Sequence, residues 1–162
     1  MIKMFLKGIT AASFILLANV AAADFYLGGG LYKTSLDIGD FSDDDQAMSV
    51  FVGWEPPVIP FVSVEAAYHD LGSYSGRDVS AYSAQAVLTL PVMFFDFYAK
   101  LGVAKTDVDG ASESDSSNDP YYAAGVAFTL LPVVDIYAEY QQFDFSDDVK
   151  IGAYGLGAKI NF

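Results

Sequence analysis

Residues 150–162 read Lys150-Ile151-Gly152-Ala153-Tyr154-Gly155-Leu156-Gly157-Ala158-Lys159-Ile160-Asn161-Phe162. Tyr154, Leu156, Ala158, Ile160 and Phe162 share one parity, and Gly155, Gly157, Lys159 and Asn161 share the other. A period of two sends these sets to opposite faces of an extended strand. One face is greasy to its last residue. The other is small and polar, with a cation in its midst.

The same alternation recurs upstream. Val62, Val64, Ala66 and Tyr68 alternate with Ser63, Glu65, Ala67 and His69. Ala99, Leu101 and Val103 alternate with Tyr98, Lys100, Gly102 and Ala104, and Ile136, Ala138 and Tyr140 alternate with Tyr137, Glu139 and Gln141. In all, the chain offers eight strand segments, at 25–36, 46–55, 61–70, 79–90, 95–106, 121–130, 134–143 and 150–162. Two kinds of connection take turns between them. Long polar loops fall at 37–45, 71–78, 107–119 and 144–149, and short proline-bearing turns at 56–60, 91–93 and 131–133. Proline is otherwise found only at Pro120, beside a loop, as its missing N–H requires. An even strand count, with long loops at one rim and short turns at the other, predicts an all-β fold: an eight-stranded antiparallel up-and-down transmembrane β-barrel. The first and last strands then pair, because hydrocarbon tolerates no open sheet edge.

Composition fits a chain with two segregated surfaces. Hydrophobic residues make up 53% and the formal net charge is −13, yet mean hydropathy is positive, at +0.32. Which parity faces outward is decided by the polar set, which holds Glu65, Lys100, Glu139 and Lys159 among Gly, Ala and Ser. A soluble barrel would turn these four to water. A membrane barrel turns them inward, where two acids and two bases can pair across a narrow lumen. Aromatics near strand ends (Phe25, Trp54, Phe61, Tyr68, Tyr82, Phe94, Phe95, Tyr121, Tyr140 and Phe162) suit the girdles of such a barrel, although any one of them could equally be core. Eight strands leave an interior that side chains fill, so the lumen is expected to be plugged.

The first 23 residues stand apart. Lys3 and Lys7 precede an apolar run from Ile9 to about Val20, and Ala21-Ala22-Ala23 follow before Asp24. Basic start, apolar centre and small residues at the end are the parts of a cleaved signal peptide. The run is shorter than the ~20 residues a helical span needs. Residues 1–23 are therefore expected to be removed and 24–162 to form the barrel. Cleavage would remove two cations and no acid, taking the charge to about −15. There is no cysteine, which excludes a disulfide framework and thiolate metal sites.

The segments Val64-Glu65-Ala66-Ala67-Tyr68, Tyr98-Ala99-Lys100-Leu101-Gly102-Val103, Tyr137-Ala138-Glu139-Tyr140 and Gly157-Ala158-Lys159-Ile160-Asn161-Phe162 carry a family likeness. From Asp24 to Phe162 the chain resembles the small outer-membrane β-barrels of the OmpA and OmpX type. The resemblance implies residence in the outer membrane of a Gram-negative bacterium, among phospholipid and lipopolysaccharide. It implies that periplasmic chaperones deliver the chain and that the barrel-assembly machinery reads the terminal Tyr154, Leu156, Ala158, Ile160 and Phe162. It also implies an interior network among Glu65, Lys100, Glu139 and Lys159. The sequence departs from OmpA-type proteins in showing no peptidoglycan-binding domain after the barrel. The family has no single activity, so the likeness names a place and a fold rather than a task.

Function is sought beyond the fold. The single histidine, His69, lies toward the loop end of its strand, with Ser73 and Ser75 close in sequence. Lipid A-modifying enzymes place His and Ser at such a rim, but a triad is a matter of geometry, and the expectation is a protein without catalytic residues. Three of the four loops hold 13 acids and no Lys or Arg, which excludes a nucleic-acid partner. Repulsion and solvation account for such loops. The sharper alternative is Ca²⁺ or Mg²⁺ on carboxylates such as Asp43, Asp44, Asp45, Asp107 and Asp109, bridging to lipopolysaccharide phosphates. No other cofactor is expected. The resulting expectation is a structural or surface-interaction barrel, with a porin-like small-solute channel as the second class and a lipid A-modifying enzyme as the third.

Overall fold

The computed structural model describes residues 24–38, 41–74, 77–108, 118–145 and 149–162. They form eight strands: β1 (Asp24–Ile38), β2 (Phe41–Glu55), β3 (Val62–Tyr74), β4 (Arg77–Val92), β5 (Phe95–Val108), β6 (Asn118–Leu131), β7 (Val134–Phe145) and β8 (Val149–Asn161). Each pairs antiparallel with the next, and β8 returns to pair with β1 from Tyr26↔Asn161 to Asp37↔Lys150. The sheet is a closed barrel with no free edge.

The register sets the shape. One row of paired residues runs from Leu31 through Met48, Asp70 and Ser80 to Asp107 on β5. Followed the other way, the row runs through Leu156, Ala138 and Val126 to Phe97, also on β5. The row thus meets itself ten residues out of step. With ~3.3 Å per residue and ~4.8 Å between strands, that stagger over eight strands tilts them by about 40° from the barrel axis.

Side chains are sorted inside-out relative to a soluble fold. Leu31 is 71% exposed and Leu156 70%, while Glu65, Lys100, Glu139 and Gln141 are buried. Two aromatic-rich clusters fill the lumen, one around Tyr26, Tyr32, Phe51 and Tyr137 and the other around Leu71, Tyr121, Phe143 and Ile151. The lower cluster fits because aromatics lie over glycines directly across the ladder. Tyr26 pairs with Gly53, and Tyr137 with Gly157. A Cβ at either glycine would collide with the tyrosine ring.

The strands run further than the sequence pattern indicates. The loop expected at 37–45 contributes to β1 as far as Ile38 and to β2 from Phe41, and the pairing continues without slip from Asp24↔Glu55 to Ile38↔Phe41. Likewise β5 includes Asp107 and β6 begins at Asn118. The reason is that ladder hydrogen bonds belong to the backbone. They continue above the apolar band whatever the side chains are, so polar sequence marks where lipid ends and not where the strand ends. Residues 1–23, with the expected leader, lie outside the described residues.

Candidate functional site

The barrel interior is where charge collects. Glu65 comes from β3, Lys100 from β5 and Glu139 from β7, and each reaches the lumen because it holds the inward parity of its strand. Lys100 Nζ lies 2.9 Å from Glu65 Oε2 and 2.9 Å from Glu139 Oε2. The same ammonium sits 4.5 Å from the centre of the Phe51 ring and 5.4 Å from that of Tyr98. The triad therefore spans the lumen, with one cation answering two carboxylates.

The residual negative charge is met by neutral donors. Tyr26 donates to Glu65 Oε1 at 2.9 Å, and Gln85 Nε2 to Glu65 Oε2 at 2.9 Å. Tyr32 donates to Glu139 Oε1 at 3.0 Å, and Gln141 Nε2 to the same oxygen at 2.6 Å. Hydrogen bonds to an ionised acceptor are the strong ones, and a buried ion cluster persists only when its remaining lone pairs are satisfied. Glu65, Lys100 and Glu139 were legible as inward charges. The alternation also sets Gln141 on the inward parity beside Glu139, whereas Gln85, Tyr26 and Tyr32 were missed. Parity could have found them, since each shares the inward face of its strand.

Lys159 does not join the other three charges. It lies nearer the short turns and pairs with Asp135, Nζ to Oδ2 3.4 Å, on a carboxylate that also accepts from Asn161 Nδ2 at 2.9 Å. Its ammonium rests over the Tyr26 ring, 4.8 Å from the centroid. The expected four-membered network is corrected to a triad and a separate pair. Lys159 and Lys100 leave different strands at different heights, which a parity argument cannot see.

His69 is not a rim residue. It is 1% exposed, its Nδ1 within 2.8 Å of Ser49 Oγ and its Nε2 within 2.8 Å of Ser83 Oγ. Its ring packs against Tyr121 and Phe143, with centroids 5.4 and 5.2 Å away. Both ring nitrogens are engaged inside the barrel, out of reach of a lipid substrate. Ser73 bonds to Asp78, and Ser75 lies outside the described residues. Tyr121, expected in a girdle, is fully buried inside. Its odd parity in β6 points it to the lumen.

From the terminal segment, Tyr154, Leu156, Ala158, Ile160 and Phe162 all face outward, and Phe162 N–H donates to Phe25 O at 2.9 Å. Of the metal candidates, Asp43, Asp44 and Asp45 have their backbone in β2 and Asp107 in β5, and Asp109 lies outside the described residues. Among the described residues no group of three or more His, Asp or Glu is placed to hold a metal ion.

A closed eight-stranded barrel with an apolar exterior and an ionic interior is a transmembrane barrel protein, since only that class turns its hydrophobic parity outward. The family follows from the sequence: residues 8–162 match the outer membrane protein beta-barrel domain, and the chain belongs to that family. Its place is the outer membrane of a Gram-negative cell, in contact with lipid. No curated protein matches the sequence. Among solved structures it is similar to Neisserial surface protein A (20% identity, 87% of this chain and 99% of that one, TM-score 0.67). It is also similar to Ail, the attachment invasion locus protein of Yersinia pestis, solved with the heparin analogue sucrose octasulfate (22% identity, 86% and 99%, TM-score 0.63). A third is OprG from Pseudomonas aeruginosa (13% identity, 87% and 96%, TM-score 0.61). At these identities the likeness is one of fold.

Proposed function

We propose that the protein is a structural and surface-interaction barrel, closed to solutes, that presents acidic loops outside the cell and performs no catalysis. The observation that carries this reading is the Glu65–Lys100–Glu139 triad, with Tyr26, Tyr32, Gln85 and Gln141 bonded to it across the lumen. A conducting pore would need a continuous aqueous path, and here the mid-lumen is occupied by ion pairs and rings. Planar-bilayer recording of the refolded protein tests it: the expected trace has no discrete conductance steps, and reproducible openings would put a channel in its place.

The loops would do the interacting. The sulfated sugar analogue on Ail is a polyanion, whereas three of the four expected loops here hold 13 acids and no Lys or Arg. Partners of the opposite charge suit this chain better, among them cationic surfaces or divalent cations shared with lipopolysaccharide phosphates. On the same reading, periplasmic chaperones and the barrel-assembly machinery handle the chain, and the terminal segment ending at Phe162 is what the machinery reads. Removing Phe162 should slow machinery-assisted insertion severalfold while leaving spontaneous refolding into micelles intact.

A further inference from the structure

Three short turns close the end of the barrel that faces the periplasm, and none offers a polar side chain. They read Pro56-Pro57-Val58-Ile59-Pro60-Phe61, then Pro91-Val92-Met93-Phe94-Phe95, then Leu131-Pro132-Val133-Val134. Their side chains are not tucked away: Met93 is 91% exposed, Val58 85% and Phe94 73%. Turns in water are built from Gly, Pro, Asn, Asp and Ser, and of these the three turns hold Pro alone. Two of these residues, Phe61 and Met93, even hold positive φ angles of 68° and 58°, which Gly or Asn would adopt with less strain. Bulky apolar side chains stand where a solvated turn would have no use for them.

The height of the greasy belt points the same way. Outward residues are apolar or glycine from Phe25 to Leu31 on β1, Trp54 to Met48 on β2, Val62 to Tyr68 on β3 and Val134 to Tyr140 on β7. The next outward positions are Lys33, Gln46, Asp70 and Gln142. At a tilt of about 40° each residue adds about 2.5 Å of height, so these four strands supply about 15 Å, whereas the outward runs Tyr82–Val92, Phe95–Val103, Tyr122–Leu130 and Tyr154–Phe162 supply about 20–25 Å; on half of the wall the strands alone fall short of a lipid-facing band of about 25 Å. The polar residues bar extension toward the loops. On β1, β2, β3 and β7, where the belt is short, extension is open only on the side of the turns.

We propose that the three turns are immersed in the periplasmic leaflet of the outer membrane, as a collar that completes the hydrophobic band against phospholipid. The backbone suits that place. In hydrocarbon every unpaired N–H is costly, and Pro56, Pro57, Pro60, Pro91 and Pro132 have none to pair. Ile59 N–H donates to Pro56 O at 3.2 Å, and the carbonyls of Phe61 and Val133 accept from Thr89 and Asn161 at 2.8 and 2.9 Å. Polar groups at this level are kept inside the ring: Glu55, Asp96, Asp135, Lys159 and Asn161 line a cavity of about 490 Å³ that opens between the turns. Water enters there while lipid surrounds the outside. A periplasmic protein or a cell-wall glycan would find no side chain in the turns to hydrogen-bond. The proposal rests on the membrane-barrel reading and adds where the barrel sits.

The chain has no cysteine, so single labels are clean. Val58→Cys, Met93→Cys and Val133→Cys carry a nitroxide in turn, with Leu101→Cys as the mid-belt reference and Asp107→Cys as the water reference. Each full chain is reconstituted into phosphatidylethanolamine–phosphatidylglycerol vesicles, and an unheated gel confirms a closed barrel. Collision with oxygen and with a neutral nickel chelate is then measured. The turn labels are expected to meet nickel severalfold less often than the Asp107 label and to meet oxygen at rates approaching the Leu101 label. Nickel accessibility at the turns equal to that at Asp107 would overturn the collar and mean that the bilayer thins to the strands alone. Dipolar broadening among Met93 labels would also overturn it, in favour of contact between two copies. A Leu101 label that met nickel freely would overturn the membrane reading itself.

Discussion

Lys100 holds the interior together at a single point, since its ammonium is the only cation within 4 Å of either Glu65 or Glu139 among the described residues. Replacing it by Met strands two carboxylates in a desolvated lumen, and breaking a buried pair in this way costs about 3–5 kcal/mol. The K100M variant should lose that much in urea unfolding from micelles, while the triple variant K100M/E65Q/E139Q should recover a large part, because no charge is then left unpaired. At Gly157 the constraint is space. A Cβ there collides with the Tyr137 ring and with the carbonyl oxygen of Gly29, and the latter is backbone that cannot swing aside. G157A should therefore cost about 1–3 kcal/mol, the range of overpacked sites, in the same unfolding assay. These residues were legible to different degrees. A charge at mid-strand stands out in a sequence, but a glycine that makes room for a tyrosine becomes visible only when the register pairs the two.

At the scale of the element, each strand serves two solvents at once. The outward face of β8 meets lipid at Leu156, and the outward face of β7 passes from Tyr140 to Gln142 as it leaves the apolar band. An arginine at mid-belt on the lipid face costs about 2–4 kcal/mol, and one near the interface about 0–1. L156R should thus destabilise the refolded barrel in vesicles by several times as much as Q142R, read from equilibrium denaturation. Strand parity was read correctly from the sequence on β3, β5, β7 and β8, because alternation is local and each residue reports its own side. Strand ends at the loop rim were not, because the ladder continues from Leu31↔Met48 up to Ile38↔Phe41 through residues whose polarity reads as loop.

For the molecule as a whole, closure between β1 and β8 is what makes the fold a barrel, and it has a direct readout. The refolded chain should migrate faster on a gel without heating than after boiling, and a variant lacking β8 should show one boiled-like band under both conditions. The eight-stranded transmembrane class and the inward placement of Glu65, Lys100 and Glu139 were determined by the sequence alone. Alternation and the spacing of prolines and acids are one-dimensional patterns, and lipid fixes which parity looks out. Tertiary structure alone decided that Lys159 pairs with Asp135 rather than with the triad, that the His69 ring is held between Ser49 and Ser83, and that Tyr121 lies within. It also set the ten-residue stagger that turns strand length into height. Each of these depends on how far one strand slides past the next before the sheet closes, and a chain read residue by residue carries no record of that sliding.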